Sequence, residues 1–150
     1  MKNIFDPEVV DEVAQRIRSL EADAQPLWGT MDVARMLAHL CVPYEIAYED
    51  THPKPGALKR FLLRTFVKSG VVGEKPYRRS LPTAPAFRIA DEREFETERE
   101  RLLGYIQRTA ELGESHFHGR DYPSFGSLTK REWSNLFYKH LDHHLTQFGV

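Results

Sequence analysis

At 150 residues the chain is about one domain's worth, long enough to bury a core without covalent staples. Its composition is 41% hydrophobic and 29% charged, with a net charge of −1. That excludes low-complexity disorder and gives no whole-chain reason to expect nucleic-acid or acidic partners. Cys41 is the single cysteine, so no intrachain disulfide can form, and no apolar run approaches the ~20 residues that span a bilayer. The N-terminus lacks the apolar stretch of a signal peptide. The expectation is one cytoplasmic domain over residues 1–150, with no membrane or nucleic-acid partner and a homodimer left open.

The first helix is expected from Asp6 as N-cap, with Pro7 where proline is welcome. Val9, Val10, Val13, Ile17 and Leu20 recur at helical spacing along it. After a connector around Pro26, a second helix is expected from near Thr30, with a stripe of Val33, Met36, Leu37, Leu40, Tyr44, Ala47 and Tyr48. Pro43 falls inside that helix and predicts a kink just past His39. Ala57 to Lys68 has helical period through Leu58, Phe61, Leu62 and Phe66.

From Ser69 to Ala90 the glycines and prolines make a long helix improbable, and this irregular middle is a candidate functional loop. A further helix is expected from Asp91, with Phe95, Leu102, Ile106 and Thr109 inside and Gly113 ending it. Its charged run, Asp91 to Arg101, reads as a solvated face with Glu96–Arg99 and Glu98–Arg101 pairs. The last helix has the clearest start. Thr129 and Glu132 form a capping box, flanked by Leu128 and Trp133 as a hydrophobic staple. Its stripe is Trp133, Leu136, Phe137, His140, Leu141, His144, Leu145 and Phe148. Four main amphipathic helices point to an all-α, antiparallel four-helix bundle.

His140 and His144 sit one turn apart at the centre of that last stripe, where leucines would be expected. A buried imidazole without a partner is costly, and a divalent metal can partner two while both stay neutral. The other reading is a pair of hydrogen-bonded core or cleft histidines. Two ligands from one helix need a third from elsewhere, and His39 on the second helix is the choice, although it lies on the flank of its own stripe. His143 points away from the pair, toward solvent, an interface or an outer shell of the site. Cys41 lies about 200° around the helix from His39 and reads as a small packed thiol. His116 and His118, two apart, would share a side in an extended stretch and with His52 could make a second site. Ordinary surface histidines are the alternative.

His140, His144 and Gln147, spaced His-x-x-x-His-x-x-Gln, resemble the last helix of DinB/YfiT-like proteins. So does Pro26-Leu27-Trp28-Gly29-Thr30-Met31 leading into Met36-Leu37-Ala38-His39-Leu40. One branch of that superfamily, a domain of unknown function, is similar also at Phe125-Gly126-x-Leu128, at Trp133 and over Tyr138 to Leu145. The resemblance implies a four-helix bundle holding a divalent metal on His39, His140 and His144. It also implies kinship with thiol-dependent transferases and isomerases. The chain departs from the pattern at Tyr122, where a histidine is expected before Pro123.

Three histidines leave a coordination position open, as catalytic zinc sites do. Such a site could activate a thiol or a water, so thiol transfer and hydrolysis both remain. Imidazole suits zinc, nickel, copper and iron, with zinc or nickel the expectation. Between Lys54 and Arg88 the chain is basic at Lys54, Lys59, Arg60, Arg64, Lys68, Lys75, Arg78, Arg79 and Arg88, with Glu74 the sole acid. That segment could attract a small anionic thiol, serve as a basic amphipathic surface, or simply be solvated. A non-catalytic metal-binding or stress-related bundle, and an interaction module with packed histidines, are the readings outside enzymology.

Overall fold

The computed structural model describes residues 1–49 and 51–150. It is mostly helical, with the long helices meeting in one core. Helix α1 (Pro7–Arg18) buries Val10, Val13 and Ile17. Asp6 takes the N-cap position with extended backbone, but its carboxylate accepts from Asn3 Nδ2 at 2.9 Å and caps no helix amide.

Helix α2 (Val33–Tyr48) starts later than Thr30, because Asp32 is the residue that caps it, accepting from the Arg35 amide at 2.8 Å. It runs on with Pro43 inside it and is buried on nearly every side from Met36 to Tyr44.

The expected break at Ser69 is not where the helical stretch ends. Helix α3 (Ala57–Leu62) passes through a widened π turn, Leu63–Val67, into α4 (Lys68–Val72). The extension is held by the last helix, α6 (Lys130–Gln147). Asn135 Nδ2 donates to Val72 O at 2.9 Å, and the Lys139 ammonium donates to Gly70 O at 2.8 Å and Gly73 O at 2.7 Å. These donors satisfy carbonyls that a helix end would otherwise leave orphaned. The Leu58, Phe61, Leu62, Phe66 stripe faces outward, with Leu58 75%, Phe61 62% and Phe66 73% exposed.

Helix α5 (Phe95–Phe117) begins at Phe95 rather than Asp91, because the Glu94 carboxylate accepts from the Glu96 and Thr97 amides. Gly113 does not end it. Its φ of 69° makes a kink, after which a further helical turn delivers Phe117 into the core between Phe5, Trp133 and Phe137. The expected solvated face is also corrected at one position. Glu98 is buried, bonded to Arg93 and Arg101, and Arg101 reaches on to Glu45 of α2.

A short antiparallel hairpin, β1 (Asp121–Tyr122) with β2 (Gly126–Ser127), was not expected from the sequence. Gly126 turns it at a φ of +77°, a conformation glycine takes without steric cost. The capping box of α6 is present in both directions: the Glu132 amide donates to Thr129 Oγ1 at 3.2 Å and the Thr129 amide to Glu132 Oε2 at 2.8 Å. Helix α2 packs on α5 and α6, α1 packs on the same two, and α4 lies on α6. Among the described residues no helix is long and apolar enough to cross a membrane.

Candidate metal centre

His39 from α2 and His140 and His144 from α6 meet where the two helices face each other. Their ligand nitrogens all lie within 4.8 Å of one another, so the three could hold a metal ion. His39 is 5% and His140 9% exposed, and His144 is half-buried.

The far side of two of these rings fixes which nitrogen faces the site. His39 Nδ1 lies 2.8 Å from Phe87 O. A carbonyl only accepts, so Nδ1 carries the proton and Nε2 presents a lone pair. Gln147 Nε2 donates to Trp28 O at 2.6 Å, which turns Gln147 Oε1 toward His144 Nδ1 at 2.7 Å. His144 Nδ1 therefore carries its proton, and its Nε2 is the free nitrogen. This backing of ligand imidazoles by outer acceptors is the usual support of a metal site. His140 Nε2 lies 2.8 Å from His39 Nε2. With the His39 lone pair facing it, His140 either donates a proton there or turns its own lone pair to a shared cation.

The local electrostatics keep the rings neutral. Burial pushes the His140 pKa well below its usual value, and the neighbouring His39, His144 and His143 push the same way. Burial lowers His39, with the Phe87 carbonyl opposing. Burial, then His39, brings His144 down to about 3. Three neutral imidazoles, two of them with their outer nitrogens engaged, and no carboxylate in the set fit a divalent ion of nitrogen preference.

The Trp28-Gly29 segment packs closely on the Gln147 side of this site. Gly29 has a φ of +83°, and a Cβ there would meet Gln147 Nε2 at 2.9 Å. The Leu27 amide donates to Gln147 O at 2.8 Å, closing the loop onto the end of α6.

His143 is not one of the three. It is half-buried, with its ring 4.9 Å from His144 and edge-on to Trp28 and Tyr77. Cys41 is fully buried, with its thiol pushed up to about 12 by burial, a packed and inert group. The suggested second site does not assemble among the described residues. His52 bonds Glu45 at 2.6 Å, His116 is helical beside Arg120, and His118 accepts from the Lys130 amide.

A cavity of about 840 Å³ opens over the three histidines. The middle segment, irregular in the sequence, supplies much of its wall, including Phe87 from a 3₁₀ turn, Pro85–Phe87. Of the basic residues between Lys54 and Arg88, Lys54, Lys59 and Arg78 line it. Others are engaged elsewhere: Arg60 pairs with Asp121, Lys68 with Glu132, and Arg79 lies over the Trp28 ring. Phe87 carries no sequence signal, since it acts through its carbonyl, and Gly29 enters the sequence reading only within the resemblance over residues 26–31, because its part in the site is a missing side chain. Gln147 did carry one, standing i+3 from His144 on the same helix.

The family model for proteins of unknown function designated DUF1569 matches residues 5–149. The chain belongs to this family. The match covers both the loop at Trp28-Gly29 and the end of α6 that the site ties together. No curated protein and no solved structure matches the chain.

Proposed function

We propose that this DUF1569 protein is a divalent-metal-binding member of the DinB/YfiT-like superfamily, built as an antiparallel four-helix bundle of α1, α2, α5 and α6, and that it is a metal-dependent thiol transferase of the cytoplasm. The observation that carries the reading is the meeting of His39, His140 and His144 with their ligand atoms within 4.8 Å. Zinc or nickel held there would lower the pKa of a thiol or water and supply a nucleophile near neutral pH. The chain's own residues would do the rest. The Phe87 carbonyl and Gln147 orient two imidazoles, the apolar walls thin the water around the reacting atoms, and the basic lining favours an anionic substrate.

The test is a panel of small thiols with a chromogenic electrophile, assayed with the metal-loaded protein and with His144→Ala. Transfer faster than background for at least one thiol, lost in His144→Ala, is the expected result. Equal rates for every thiol would remove transfer and leave a non-catalytic metal-binding protein. One observation favours packed histidines instead: His140 can bond directly to His39 at 2.8 Å with no metal between them. Metal content decides between the two.

A further inference from the structure

The cavity is much larger than a metal and a compact thiol require. At about 840 Å³ it is in the size range of sites for drug-sized ligands. Much of its wall is apolar, with Pro43 and Ile46 from α2, Leu63 and Val71 from the α3–α4 arm, Phe125 from the hairpin and Leu136 from α6, while Glu49 and His52 are among its polar lining. Amides of a peptide-like thiol laid against the apolar part of the wall would carry a desolvation penalty that a hydrocarbon body does not.

Two further observations describe what the ligand must offer. Lys59 and Arg78 line the cavity, are exposed, and have no ion-pair partner among the described residues. Tyr122 also lines it and is 3% exposed, with its ring against Phe125 and Trp133. Its hydroxyl has no hydrogen-bond partner among the described residues and, on a side chain that lines the cavity, can donate to a ligand atom. This is the position where the family resemblance leads one to expect a histidine.

We propose that the cavity binds an amphipathic organic carboxylate. Its carboxylate sits at Lys59 and Arg78 and accepts a hydrogen bond from the Tyr122 hydroxyl, and its apolar body lies along the walls toward the histidine floor. This names the substrate class of the site read above and rests on that reading for what happens at the histidines, whereas binding itself needs no metal.

Calorimetric titration of the untagged protein with octanoate, decanoate and dodecanoate tests it. Affinity should rise roughly ten-fold for every two methylenes until the walls are covered. Leu63→Trp, which narrows the cavity along the arm, should weaken binding at least about five-fold, and so should Lys59→Glu with Arg78→Glu. Tyr122→Phe keeps the ring stack and should weaken it by about two- to ten-fold. Phe61→Ser with Phe66→Ser, on the outer face of the arm, should leave it unchanged.

No saturable binding by any chain length overturns the proposal. So does glutathione binding more tightly than dodecanoate, or loss of binding in the outer-face variant with retention in Leu63→Trp. The His140→Ala variant separates this inference from the metal reading. If it holds no metal and binds dodecanoate like the wild type, the ligand class stands by itself. If the wild type takes up metal but no carboxylate, this inference falls and the metal reading stands.

Discussion

Helix α6 and the α3–α4 arm both carry apolar residues at helical spacing with cations beside them, yet they end up in opposite environments. From Trp133 to Leu141 every residue of α6 is buried, including the charged Lys139. The arm turns Leu58, Phe61 and Phe66 to solvent and lays Leu63, Val67 and Val71 along the cavity. Apolar periodicity therefore fixes that a segment is helical without fixing which face is buried. In α6 the deciding extra signals are the capping box and two histidines standing in the stripe. The arm has no such signals of its own, and its end is set by donors that α6 lends it.

The comparison can be broken by making one kind of truncation in both regions. Phe137 is fully buried and stacked on Tyr44 at a centroid distance of 4.4 Å. Phe137→Ala should cost about 3–5 kcal/mol in denaturant unfolding. A much smaller loss would mean that α6 is not the centre of the core.

The tie between the two regions comes next in size. Asn135→Ala leaves the buried Val72 carbonyl without its donor and should cost about 1–3 kcal/mol. Hydrogen exchange should then rise across α4 and not across α1. Uniform exchange throughout the chain would show that the arm is not held by this bond.

The cap of α6 is worth somewhat less. Thr129→Ala should cost about 0.5–2 kcal/mol and lower metal affinity with it, because the helix carries two of the three proposed ligands. Unchanged denaturant midpoints would remove the cap from the account.

Phe66→Ala, on the outer face of the arm, should change stability by less than about 0.5 kcal/mol. A loss approaching that of Phe137→Ala would mean that this face is covered in solution.

What could be read from the sequence follows the same division. The last helix was legible to its capping box, and the inner residues of α1, α2 and α5 were legible from spacing, because local propensity and burial agree there. The starts of α2 and α5 lie a few residues beyond those the sequence leads one to expect, since Asp32 and Glu94 cap where Thr30 and Asp91 also could. Gly113 reads as a stop, but burial of Phe117 carries the chain through a kink and onward. The run 69–72 reads as a break, and only the long-range donors Asn135 and Lys139 make it helical. Of the candidate site, spacing singles out His140 and His144 as a pair, whereas His39 needed the facing-helix argument and the resemblance. The Phe87 carbonyl and the close approach at Gly29 exist only once the chain is folded.

The account turns on whether the three histidines hold a metal. Elemental analysis of untagged protein, reconstituted with zinc or nickel and freed of excess, measures this directly. It predicts near one equivalent per chain for the wild type and for His143→Ala, and most of that lost in His39→Ala, His140→Ala and His144→Ala. A wild type that retains no metal, or a His143→Ala variant that loses it while His144→Ala keeps it, would contradict the account.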